Sequence, residues 1–135
     1  MTTEAAQEPQ DPTKRQLTIR VLTMPADANP HGDIFGGWLM SQIDIAGSVV
    51  AIQTTQGRVV TVAVNEMRFI LPVFVGDLVS LYARLKQVGR TSVTVEVEAF
   101  AEREQERNRQ QRVATATLTY VAVDENRRPR TVSPP

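Results

Sequence analysis

Only one stretch of this chain carries apolar residues at helical spacing, and four segments with a two-residue period follow it across short breaks. The helical stretch opens at Gly37 and puts Leu39, Ile43, Ala46 and Val50 on one stripe, with Gly57 as its expected stop. Ahead of it, Leu17, Ile19 and Val21 alternate with Thr18 and Arg20, as a half-buried strand requires. A loop rich in breakers (Pro25, Asn29, Pro30, Gly32, Gly36, Gly37) joins the two. Behind the helix, 58–69 alternates through Val60, Val62 and Val64, 77–88 through Val79, Leu81, Ala83 and Leu85, and 91–100 through Val93, Val95 and Val97. Residues 113–123 form the last strand, and 102–112, almost wholly polar, read as a solvated hairpin loop. One apolar helix followed by an antiparallel meander defines an α+β domain whose sheet curls round the helix.

A chain of 135 residues with 41% hydrophobic residues suits one domain with one core. The boundaries expected are a flexible tail over 1–14, the domain over 15–124 and a polar, basic tail over 125–135. Lys plus Arg equal Asp plus Glu at 15 each, so there is no basic surplus for nucleic acid or an anionic membrane surface. Neither is expected as a partner. The chain has no cysteine and a single histidine, His31, which removes disulfides, thiol nucleophiles and most zinc sites. No metal and no separate cofactor are expected. The first 14 residues lack the apolar run of a signal peptide. The stretch 34–52 is poor in charge but interrupted by Gly, Ser, Gln and Asp44, as in a core helix and unlike a membrane span. A cytoplasmic location is the expectation.

Asp44 is the only charge between Ile34 and Ile52. Carboxylates are rarely buried without a partner or a purpose. An Asp on the exposed edge of an amphipathic helix is the commoner case, but this helix has almost no polar face on which to put one. One turn away, Met40, Gly47 and Ser48 include two small residues that leave room for a ligand to approach. At the helix start, Gly36 and Gly37 let the backbone come close to a ligand and aim unpaired N–H groups at it. With the helix dipole, those donors suit a carbonyl oxygen that becomes an oxyanion; alone, a glycine pair is only a turn. Gly89-Arg90-Thr91-Ser92 gathers a cation, two hydroxyls and turn N–H groups of the kind that bind phosphate, although a lone hairpin of this composition is usually just a hairpin. Phe35, Trp38, Met40 and Met67 suit an acyl channel or, more commonly, a core.

Together, "ANPHGDIFGGWLMSQIDIAGSVVA", "GRVVTVAVNEMRFILPVFVGDLV", "VGRTSVTVEVE" and "TLTYVAVDENRRPRTV" resemble the bacterial YciA-type acyl-CoA thioesterases, hotdog proteins related to the cytosolic long-chain acyl-CoA hydrolases. The resemblance runs from about Leu17 to Val132. It implies a hotdog fold and hydrolysis of acyl-CoA to fatty acid and coenzyme A, which enters as part of the substrate. It implies Asp44 as the catalytic carboxylate, Gly37 as the donor to the thioester carbonyl, with Gly36 beside it, and Asn29 as a residue shaping the site. It assigns Gly89, Arg90, Thr91 and Ser92 to the coenzyme A moiety. It also implies a site built across a dimer interface, where Asn65, Glu66 and Arg68 approach Asp44 of the partner. The expected assembly is a homo-oligomer, a dimer at the least and a trimer of dimers at the hexamer level. Pro30-His31 departs from the family pattern, so His31 receives no role from it. Asp44 could act as general base on water or attack the thioester itself. The rivals are a hotdog hydratase or dehydratase, whose "HFPG" type segment "HGDIFGG" does not match, and a non-catalytic acyl-CoA-binding regulator, which would have no use for Asp44.

Overall fold

The computed structural model describes residues 10–132. Most of the expected N-terminal tail (1–9) and the last three residues lie outside the described residues. Five strands and one long helix follow in the order β1 (Gln16–Leu22), α1 (Gly36–Thr55), β2 (Val59–Phe69), β3 (Leu78–Val88), β4 (Ser92–Glu102) and β5 (Gln111–Ala122), with a short 3-10 turn at Pro25–Asp27. The strands form one antiparallel sheet in the order β1-β3-β4-β5-β2, so β1 and β2 are its edges. The helix lies on one face, and this is the hotdog architecture expected.

The core follows the patterns that define the elements. Leu39, Ile43, Ala46, Val50 and Ala51 of α1 are buried, and they meet the inward rows of β3, β4 and β5, among them Leu81, Val95 and Leu118. Each large side chain so buried contributes about 1.5–3 kcal/mol. The helix ends at Thr55, two residues before the expected glycine: Gln56 caps it in the left-handed conformation (φ 55°), its N–H bonding Ile52 O. Gly57 is small for another reason, since a Cβ there would lie 2.5 Å from Nη2 of Arg130.

Three expectations are corrected. The strand 58–69 does not alternate cleanly, because register shifts between Thr61 and Ala63 and between Val64 and Glu66 leave Val62 and Asn65 without partners. Paired to inward residues of β5, Val59, Thr61, Val64 and Met67 face the helix side, while Val60 and Val62 stand exposed. The C-terminal segment does not trail away. It turns at Asp124–Arg128, Val132 N–H reaches Arg90 O (2.8 Å), and Val132 is buried. The polar loop after β4 is not merely solvated: Arg103 and Arg107 reach across to the β2–β3 connection. Within the expected N-terminal tail, Leu85 N–H bonds Pro12 O at 2.6 Å.

Candidate active site

Asp44 sits in the middle of α1, half-buried rather than enclosed, on the flank that faces β2. Two neighbouring side chains of the sheet grip it. Thr61 and Tyr120 are direct cross-strand partners on β2 and β5 and share the helix-facing side. The Thr61 hydroxyl donates to Asp44 Oδ1 at 2.7 Å, and the Tyr120 hydroxyl donates to the Asp44 main-chain carbonyl at 2.7 Å. One partner orients the carboxylate; the other fixes the turn that carries it. The Tyr120 phenol is pushed well above its usual pKa range, first by burial, then by the Asp44 charge and a hydrogen bond with that residue. It therefore remains a donor at any ordinary pH.

Gly47, one turn along, is what admits Tyr120. A Cβ at this position would fall on the phenol oxygen and lie 3.2 Å from Cζ. The small residue expected to leave room for a ligand instead leaves room for the tyrosine that holds Asp44. Neither Thr61 nor Tyr120 figured among the residues expected from the sequence. A hydroxyl in a valine-rich strand, next to a helix with a single charge, was the available signal for Thr61; for Tyr120 there was none.

At the helix start no side chain among the described residues caps α1, and the first backbone bonds come from Trp38 and Leu39 N–H to Phe35 O (3.1 and 3.2 Å). The N–H groups of Gly36 and Gly37 find no acceptor among the described residues. Nothing lies within 4 Å of where a Cβ of Gly37 would be, so the backbone at this position is open to close approach. Asn29 stands beside this opening: its Oδ1 accepts from the N–H groups of His31 (2.9 Å) and Asp33 (3.1 Å), folding the loop that leads into the helix. Asn29 and Gly36 border a cleft of about 460 Å³ whose opposite wall includes Phe69, Leu71 and Val73. Phe35 and Met40 are exposed, whereas Trp38 and Met67 pack against the core.

The structure does not bring all expected residues together within one chain. Gly37 and Asp44 are seven residues apart on one helix, a rise of about 10 Å, and amide hydrogens at a helix start point back along the axis, away from Asp44. Asn65, Glu66 and Arg68 are on the sheet face remote from the helix: Asn65 bonds Thr119 (2.7 Å), and Glu66 and Arg68 pair with each other (2.8 Å). They do not meet Asp44 of their own chain. Gly89, Arg90, Thr91 and Ser92 make the β3–β4 turn, closed by Gly89 N–H to Ser92 O (2.7 Å), with the Arg90 side chain exposed. This turn adjoins β2's first residues through β5, since Ser92 pairs Val121 and Val59 pairs Ala122. Asn29 and Gly36 lie near the other end of the sheet, against Phe69.

A hotdog domain with a gripped carboxylate on its helix and uncapped donors at the helix start defines the class. Residues 31–107 match the family model of the thioesterase superfamily. The acyl-CoA thioester hydrolase YciA of Escherichia coli K12 is 47% identical over 118 residues, covering 86% of this chain and 89% of that protein. The chain belongs to the thioesterase superfamily. Among solved structures, the hexameric thioesterase of Yersinia pestis superposes with a TM-score of 0.83 at 47% identity, covering 88% of this chain and 96% of that one. An acyl-CoA hydrolase from Staphylococcus aureus, solved with butyryl coenzyme A, coenzyme A and coenzyme A disulfide, superposes with a TM-score of 0.80 at 28% identity, covering 87% and 71%. That enzyme has also been solved as alanine mutants of an asparagine, an aspartate and a threonine. Those three residues follow one another at intervals of 15 and 17, the spacing of Asn29, Asp44 and Thr61 in this chain.

Proposed function

We propose that this protein hydrolyses acyl-CoA thioesters to the free acid and coenzyme A, in the cytoplasm, as an oligomer of at least two copies. The observation that carries the reading is the half-buried Asp44 carboxylate held by the Thr61 hydroxyl, with Oδ2 left without a donor among the described residues. A thioester carbonyl is a good electrophile, so a positioned base and an oxyanion donor suffice. Asp44 takes a proton from water as its oxygen adds to the carbonyl carbon. The oxyanion is stabilised by backbone N–H of Gly37, and the thiolate of coenzyme A leaves as the carbonyl re-forms.

Because Gly37 and Asp44 of one chain point apart, the complete site needs the helix start of a second copy. Exposed Ile45 and Ile52 on α1 and Val60, Val62 and Val64 on the edge strand β2 offer the apolar surface for it. A two-fold pair is the usual symmetric solution, and a trimer of such dimers is the assembly the hexameric relatives support. Asn29 shapes the acyl side of the site. Gly89, Arg90, Thr91 and Ser92 take the coenzyme A moiety, with Arg90 on a phosphate. Asn65, Glu66 and Arg68 remain candidates for contact with coenzyme A from the outer face only.

The test is thiol release from a series of acyl-CoAs by the parent and by Asp44→Ala. Loss of a general base costs about 10²–10⁴-fold in turnover. A folded Asp44→Ala protein that hydrolyses as fast as the parent refutes the assignment, and loss of enoyl absorbance without thiol release would mark a hydratase instead.

A further inference from the structure

The apolar wall of the cleft beside Gly36 runs from exposed Phe69, Ile70 and Leu71 to buried Val73, and its shape depends on how its backbone is anchored. Phe69, Ile70 and Leu71 are 53%, 44% and 42% exposed, so packing holds them only in part. Backbone bonds do so at one end: Ile70 N–H to Val113 O (2.7 Å) and Ile34 N–H to Val73 O (2.8 Å). At the other end the chain continues through Phe74 to the buried Asp77, whose carboxylate accepts from Phe74 N–H at 2.9 Å.

Both remaining anchors come from the loop between β4 and β5, which contains no apolar residue. Arg103 pairs with the Asp77 carboxylate, reaches Pro72 O with its other nitrogen (3.4 Å), and lays its guanidinium 4.7 Å above the Phe74 ring. Arg107 forks between Glu102 O (2.7 Å) and Gly76 O (2.9 Å), tying one loop to the other. A buried carboxylate requires such a partner, and a planar fork that bonds two carbonyls fixes their separation. The polar loop therefore has a specific task, which is to hold the segment 72–77.

We propose that Arg103 and Arg107 are positioning residues for acyl-chain selection, clamping the segment that sets the far wall of the cleft. This rests on the thioesterase reading above. Phe69 stands against Gly36, so even a short acyl group bound at Gly37 meets the near end of that wall, whereas only a long one extends along it to Pro72 and Val73. Loosening the clamp thus changes discrimination among chain lengths and leaves chemistry on the shortest substrates in place.

The experiment compares the parent with Arg107→Ala, Arg103→Lys and Arg103→Ala on saturated acyl-CoAs from acetyl to palmitoyl, by thiol trapping. Arg107→Ala and Arg103→Lys strand no buried charge, so they serve if Arg103→Ala fails to fold. The expected result is a shift of about tenfold in the long-to-short ratio of kcat/KM, the size of roughly one methylene's worth of discrimination. Turnover on the shortest substrate should stay within about twofold of the parent. A simple loss of folded protein lowers all substrates alike and leaves the ratio unchanged; an unchanged ratio in both milder variants overturns the proposal. Hydrogen exchange of the Phe74, Gly76 and Asp77 amides supplies a readout independent of activity. Faster exchange in the variants supports the clamp, and parental protection overturns it. A parent that cleaves no acyl-CoA while its clamp variants exchange faster would overturn the proposed function and the selection role, leaving the anchor itself.

Discussion

Gly47→Ala isolates the contact on which the position of Asp44 depends. In an ordinary helix interior the change is favourable, because alanine exceeds glycine in helix propensity by about 1 kcal/mol. Here the new methyl group would fall on the Tyr120 hydroxyl, with Cζ and Cε2 of the ring 3.2 and 3.3 Å away. Tyr120 is fully buried on β5 and cannot swing aside, so either the helix lifts or the ring shifts. Overpacking of this kind costs about 1–3 kcal/mol, and the strained hydrogen bond to the Asp44 carbonyl costs about 1 kcal/mol more. Against the propensity gain of about 1 kcal/mol, the net loss is about 1–3 kcal/mol. That corresponds to a fall in Tm of about 3–12 °C for a chain of this size. Urea unfolding at one fixed protein concentration is the measure, since association contributes to stability. The companion is the double variant Gly47→Ala with Tyr120→Phe. Removing the phenol oxygen removes the worst clash, so the two losses should be non-additive by at least about 1 kcal/mol. Turnover in Gly47→Ala should fall as well, because the turn that moves is the turn bearing Asp44. Parental stability for Gly47→Ala, or strictly additive losses, would refute the packing argument.

The raised pKa of Tyr120 carries its own sign. Its proton is held more tightly in the folded chain, so the stability it contributes is complete below the unfolded phenol pKa near 10 and is lost as pH rises above that value. The difference in unfolding free energy between parent and Tyr120→Phe should shrink above about pH 10, by up to about 1.4 kcal/mol per pH unit; a constant difference across that range contradicts it. Arg90→Ala should raise KM for acyl-CoA with little change in kcat, and should leave a pantetheine thioester unaffected, because its main-chain carbonyl, not its side chain, anchors Val132. Equal losses on both substrates would place Arg90 in the fold.

The elements were legible in the sequence because period and punctuation agree. Gln16–Leu22 is strand in both readings, and the Val93, Val95, Val97 row is buried as its alternation predicts. The errors fall where an element is governed by something other than its own periodicity. The two bulges of β2 shift its faces, and neither leaves a glycine or proline to announce it. The loop after β4 is polar throughout, yet the partners that immobilise Arg103 and Arg107 lie in a segment about thirty residues earlier in the chain. Asp44 was legible because it is the one charge in an apolar helix; its partners Thr61 and Tyr120 come from strands 17 and 76 residues away, and only the sheet register makes them neighbours.

The separation of Gly37 from Asp44 explains why the chain should work as more than one copy. A helix offers unpaired N–H donors only at its first turn, so an oxyanion donor of this type has to lie at the end of α1. A carboxylate there would be drawn to the same donors and would compete with the substrate for them. Placing Asp44 two turns along keeps it off its own helix start, and Thr61 and Tyr120 then fix it from the sheet. The consequence is that one chain holds the Asp44 carboxylate and the free N–H groups of the helix start about 10 Å apart and facing different ways. A second helix running antiparallel beside the first reverses the order of the two features, so each base can meet the other's donors. The same pairing gives Ile45, Ile52 and the exposed valines of β2 an apolar counterpart. Under the proposed function, edge protection and completion of the site are thus one requirement, which one two-fold contact would meet.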